Sequence, residues 1–130
     1  MTDLGSLYSL GYSGRGSDDL RALLPPGVLV VDVRLQPWGR APFNGPHATR
    51  LLTESVGLAY RWDRRLGNLG YKRGTIEIAD IEAIGDVIDD LRAGHSVALL
   101  CVCPSPSSCH RSTLAEAIRE RLPGVEVVHL

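Results

Sequence analysis

The stretch VLVVDV, Val28 to Val33, constrains the fold more than any other part of the chain. It is β-branched and apolar on both faces, without the polar alternation of a half-exposed strand. A strand of that kind is covered on both sides, the condition of a central strand in a parallel sheet.

The flanking sequence supplies the rest of such a sheet. Leu4 to Leu10 reads as a short strand ending at Gly11, followed by the glycine-rich turn GYSGRG. Ser17 is a good N-cap for a short helix, with Asp18 and Asp19 in its first turn and Leu20, Leu23 and Leu24 on one face. Pro25-Pro26-Gly27 stops that helix. Gln36 to Gly45 is a loop by its Pro and Gly content. Pro46 to Val56 is expected to be helical with Leu51, Leu52 and Val56 inward, and Leu58 to Trp62 is a third strand. Asp63 to Thr75 is a long polar loop. Ile81, Ile84, Val87, Ile88 and Leu91 mark a helix by their spacing, with Gly94 at its C-terminal end. Ser96 to Cys101 is a fourth strand, Ser108 to Leu122 a last helix, and Val125 to Leu130 a fifth strand. Strands and helices alternate, so the expected fold class is α/β: a single three-layer domain over residues 1–130, Rossmann-like or rhodanese-like, with a mostly parallel sheet of about five strands.

At 130 residues, 44% hydrophobic and 22% charged, the chain can bury a real core. No segment reaches the roughly 18 apolar residues of a membrane span, and no membrane partner is expected. The opening MTDLGSLYSLGYSG lacks the basic and long apolar stretches of a secretory signal, so a cytoplasmic protein with reduced thiols is expected. Net charge is −1, which excludes a global field for nucleic acid.

Charge position is more informative. In an open α/β sheet, ligands bind outside the carboxyl ends of the strands. After the first expected strand come Tyr12, Ser13 and Arg15; after the second, Arg34, Trp38 and Arg40; after the third, Asp63, Arg64 and Arg65. After the fourth come Cys103, Ser107, Ser108, Cys109, His110 and Arg111. Arginine recurs at each of these edges, and its planar fork suits phosphate or carboxylate. The expectation is a cationic crevice binding a small anionic ligand, phosphate-containing or nucleotide-like, through Tyr12, Ser13, Arg15, Arg34, Arg40, Ser108 and Arg111. The same arginines could instead pair internally with Asp32 and Asp63.

All three cysteines lie in CVCPSPSSCHRS, Cys101 to Ser112. A metal reading would use Cys101, Cys103, Cys109 and His110, but structural zinc sites pair cysteines two to four residues apart. Neighbours such as Cys109 and His110 rarely both reach one ion, and Cys101 ends a buried strand where a core thiol is common. No metal and no cofactor are expected. A nucleophile reading uses Cys103 or Cys109, near a helix N-terminus and a cation. Neither cysteine has the interval to Arg111 that a phosphatase loop requires. His110 is a candidate acid or base, or its ring bonds a backbone carbonyl while Cys109 packs under the loop. The candidate catalytic residues are therefore His110, Cys109 and Cys103.

Several of these residues, in order, resemble the domain-of-unknown-function family 488. They are Leu10-Gly11-Tyr12-Ser13 with Arg15, the strand ending Asp32-Val33-Arg34, then Pro37, Arg40, Phe43 and Asn44, then Leu66-Gly67, and finally Cys101 and Cys109-His110-Arg111. Family members often carry an acidic residue two positions after the strand-end cysteine; Cys103 stands there in this chain. The resemblance implies an α/β fold and a site built from Tyr12, Ser13, Arg34, Arg40 and the Cys-His-Arg loop. Asp-Val-Arg after a strand also looks like the opening half of a rhodanese domain, an analogy of fold alone. Three functions follow as expectations: a small enzyme or binding protein acting on an anionic ligand, a rhodanese-like sulfurtransferase using Cys103 or Cys109, and a nucleic-acid-binding module.

Overall fold

The computed structural model describes residues 3–38, 42–102 and 109–130. Five strands form one sheet: β1 (Leu7–Gly11), β2 (Leu29–Asp32), β3 (Ala59–Trp62), β4 (Val97–Cys101) and β5 (Val127–His129). Four helices connect them: α1 (Ser17–Leu23), α2 (Gly45–Ser55), α3 (Ile84–Arg92) and α4 (His110–Arg121). The strand order is β3-β2-β4-β1-β5, and every pairing is parallel. β4 lies between β1 and β2, which separates this order from the run of a dinucleotide-binding Rossmann half.

The three-layer expectation holds, because each interior strand is apolar on both faces. Leu7, Val31, Val97 and Leu99 point to one side and pack with Ile84, Val87 and Leu91 of α3 and Leu114 and Ile118 of α4. Leu10, Val30, Ala98 and Leu100 point to the other, against Leu20 of α1, Phe43 and Leu58. Period-two alternation thus divides one sheet between two cores.

The element boundaries differ from the sequence reading at instructive places. β1 begins at Leu7 rather than Leu4, because Gly5 is pressed against the turn before β4. Its N–H bonds the Leu91 carbonyl at 2.9 Å, and a Cβ there would fall inside the His95 carbonyl. Gly16, not Ser17, is the N-cap of α1, and its N–H donates to the Asp19 carboxylate at 2.8 Å. α2 buries Gly45, Thr49 and Thr53, one turn apart, while Leu51 is 57% exposed. The two threonine hydroxyls satisfy themselves on the Gly45 and Arg50 carbonyls, at 2.7 and 3.0 Å. Small polar residues therefore share the inward face with Leu52 and Val56, which pack against the core around Phe43 and Leu58 as expected, and of the three expected inward residues only Leu51 turns outward. The loop after β3 contains the 3-10 turns Arg64–Leu66 and Tyr71–Arg73, the first capped by the Asp63 side chain. No described helix is long and apolar enough to cross a membrane.

Pairing continues past the strand ends at the carboxyl edge. Tyr12 N–H bonds the Cys101 carbonyl at 2.9 Å and Ser13 N–H the Val102 carbonyl at 3.3 Å, while Val33 N–H bonds the Leu100 carbonyl at 3.0 Å. The segments after β1, β2 and β4 are thereby brought side by side. Gly5→Ala should push the start of β1 off this frame. Its expected cost is about 1–3 kcal/mol, the range for forcing extra volume into a packed site, read as a lowered midpoint in urea denaturation.

Candidate functional site

The end of β2 organises the edge. Asp32 is fully buried, and its carboxylate accepts from Arg34 Nε at 2.8 Å, Arg34 Nη2 at 2.5 Å, Arg34 N–H at 3.2 Å and the Tyr60 hydroxyl at 2.6 Å. The Arg34 guanidinium, 6% exposed, also donates from Nη1 to the Phe43 carbonyl at 2.7 Å and to the Tyr12 hydroxyl at 3.3 Å, and from Nη2 to Thr49 Oγ1 at 3.1 Å. All five of its N–H donors have partners inside the chain, which leaves none for an external anion. Burial by itself would favour a neutral guanidine, but the hydrogen bonds and charge of Asp32 outweigh it and hold Arg34 above its ordinary range. Burial and the same carboxylate push Tyr60 upward, so its hydroxyl remains a donor. Tyr12 stacks on Phe43 with centroids 4.3 Å apart.

Arg65 is also engaged internally, with Asp63 at 2.7 Å and Asp86 at 2.7 Å. The internal pairing that the sequence left open is therefore what Arg34 and Arg65 do. Arg15 differs. It follows the segment drawn to the end of β4, and its Nη1 is buried with no hydrogen-bond partner among the described residues. Ser13 beside it is exposed. Arg111 is fully buried on the other side of the sheet, where its Nε donates to Ser9 Oγ at 3.1 Å. The Ser9 hydroxyl lies 2.5 Å from His129 Nδ1. Arg40, Cys103 and Ser108 lie outside the described residues.

On the face of α3 and α4, Cys101, Cys109 and His110 meet. Cys101 ends β4 with its side chain in this core, and Cys109 is the N-cap of α4. Its extended backbone, at φ −115 and ψ 142, turns directly into the helix at His110. That turn lets adjacent residues converge, which the linear spacing had argued against. His110 Nδ1 lies 3.8 Å from Cys101 Sγ and 3.8 Å from Cys109 Sγ. The other ring nitrogen, Nε2, is 2.8 Å from the Val33 carbonyl. A carbonyl only accepts, so Nε2 carries hydrogen, and Nδ1 is the ring nitrogen that faces the two sulfurs. Both cysteines carry thiols. The hydrogen bond from the Cys101 thiol holds Cys109 well below the ordinary thiol range; desolvation opposes this, and His110 and the Arg111 N–H add to it. Cys109 is 1% exposed.

The sequence identified Cys109 and His110 and placed Cys101 in the core, where it lies. It also offered a backbone carbonyl as the partner of the His110 ring, which Val33 supplies, but gave no signal for Ser9 and His129, which meet Arg111 from other strands. The fold and this cluster define a class: an all-parallel three-layer α/β protein with a thiol–imidazole centre where the last helix begins. A family model described as DUF488-N3a, the active DUF488-N3 subclade, matches residues 71–122, a span that runs through α3, β4 and α4. This match supports assignment of the chain to the DUF488 family. Neither a curated protein nor a solved structure matches the chain.

Two outcomes are expected of the charged framework. Arg34→Ala leaves Asp32 buried and unpaired and should cost about 3–5 kcal/mol in denaturant titration. Asp63 is held below its ordinary value: burial opposes this, but the hydrogen bonds from Arg65 prevail. Its contribution to stability is present above the unfolded-state pKa and is lost as pH falls through the folded one. Asp63→Asn should therefore flatten the acid limb of the stability curve below about pH 4, measured by urea midpoints across pH.

Proposed function

We propose that the chain is a thiol enzyme of the sulfur-transfer type, with Cys109 as the nucleophile toward a small anionic sulfur donor. The observation that carries this reading is the convergence of Cys101 Sγ and His110 Nδ1 on Cys109 Sγ where α4 begins. The thiolate is the reactive form of cysteine. Here the Cys101 S–H can donate to it, and the helix start favours negative charge. With thiosulfate as donor, Cys109 sulfur attacks the outer sulfur. One S–S bond forms, the donor's own S–S bond breaks, and its electron pair leaves with sulfite. The protein then carries a persulfide, which an acceptor thiol takes by the same displacement.

The proposal keeps the anionic ligand in narrower form. Arg34 has no donor to spare, so the cation proposed to meet the donor's sulfonate is Arg15, whose Nη1 is buried with no partner among the described residues. No observation favours the nucleic-acid reading.

The test is mass spectrometry of the reduced chain after thiosulfate treatment. The expected result is a gain of one sulfur atom, located on the Cys109 peptide, with sulfite released and with loss of the adduct in Cys109→Ser. Sulfur carried on Cys103 instead would overturn the assignment of the nucleophile. No added sulfur on a folded, reduced chain would overturn sulfur transfer itself.

A further inference from the structure

We infer that Cys101 Sγ, Cys109 Sγ and His110 Nδ1 are three ligands of a binding site for a thiophilic cation of the zinc(II) type. The three atoms lie within 4.8 Å of one another, and each residue is buried. Around a tetrahedral zinc ion, with Zn–S about 2.3 Å and Zn–N about 2.0–2.1 Å, ligand atoms stand roughly 3.5–3.8 Å apart. The two S···N separations, both 3.8 Å, already lie at that spacing. Three lone-pair-bearing atoms facing one point in a dry interior repel unless protons or a cation stand between them. Protons can bridge them in pairs; a cation satisfies all three at once.

The imidazole is prepared for this role. A metal-bound histidine almost always donates its second ring N–H to a carbonyl or carboxylate, which fixes tautomer and ring orientation. His110 Nε2 makes that bond to the Val33 carbonyl at 2.8 Å. The donor set, two sulfurs and one imidazole, selects borderline or soft cations over magnesium or calcium. Among the described residues no fourth histidine, cysteine or carboxylate joins the cluster. The described residues accordingly supply three of the four ligands of a tetrahedral ion. Binding displaces the thiol protons and occupies the Cys109 lone pairs, so an ion here and sulfur transfer exclude one another. The inference stands on geometry alone and does not depend on that activity.

The experiment uses the full chain, reduced and stripped with a chelator, and titrates it anaerobically with cobalt(II) as a spectroscopic substitute for zinc. The expected result is a thiolate-to-cobalt charge-transfer band with the strong visible bands of tetrahedral cobalt, saturating at one ion per chain and abolished by added zinc(II). Cys101→Ala and His110→Ala should each weaken binding more than about 100-fold, beyond what losing an outer-sphere partner costs. Circular dichroism identifies variants that have lost the fold, and for such a variant Cys101→Ser or His110→Gln is substituted. Absence of the bands in folded, reduced wild-type chain overturns the site, as does full binding by both folded variants. Thiosulfate loading of the same metal-free preparation separates the two readings. Persulfide without cobalt bands removes the metal site and leaves sulfur transfer; bands without persulfide do the reverse.

Discussion

A buried carboxylate–guanidinium pair, Asp32 with Arg34, holds the carboxyl edge of this sheet together. Removing two charges from water is costly, and their attraction offsets that cost only if the remaining lone pairs and protons are satisfied. Here they are. The Asp32 carboxylate receives three donors from Arg34 and one from Tyr60, and the guanidinium places all five of its own. The partners belong to different parts of the chain: Tyr12 after β1, Tyr60 on β3, Phe43 before α2 and Thr49 within it. One ion pair therefore sets the distances between β2, its neighbour and the helix layer over them.

The pair also acts through the sheet. Side chains alternate along a strand, so Asp32 and Arg34 share one face and Val33 belongs to the other, where its side chain enters the core under α3 and α4. The Val33 carbonyl between them accepts from His110 Nε2. With residues 32 and 34 both anchored, that carbonyl has little freedom, and the imidazole inherits its orientation and tautomer. The thiol centre is thus positioned from beneath by β2 and from above by the start of α4. An arginine expected to touch ligand acts instead, through the backbone, on the residue beside the sulfurs.

Much of this fold was legible in the sequence because covered parallel strands leave a plain signature. VLVVDV and SVALLC are apolar on both faces, and the Ile81-to-Leu91 spacing marks a helix. What was not legible depends on contacts between distant segments. Gly5 looks like an ordinary strand residue until the His95 carbonyl lies against it. Leu51 looks inward by hydrophobicity, yet the close approach of α2 to the sheet admits Thr49 and Thr53 instead. For the site, residue types pointed to the Cys-His-Arg segment, but linear spacing misjudged it. The rule that neighbouring residues rarely share a target assumes regular backbone. It fails at an N-cap, where an extended residue abuts a helical one and two side chains swing to the same side.

The distribution of charge bears on what such a centre can select. Arg34 and Arg65 are neutralised within the chain, so the edge is less cationic than its arginine count suggests. Around Cys109 the stabilising groups are a thiol, an imidazole and backbone N–H, mostly neutral and polarizable, rather than a ring of guanidinium groups. A phosphate carries its charge on hard oxygens and is held by guanidinium forks and arrays of N–H donors. Sulfane sulfur and zinc-type cations are softer, and thiolate with imidazole is their natural complement. The described side chains of the buried cluster therefore complement the sulfur transfer and the cation binding proposed above better than they would a phosphoryl group.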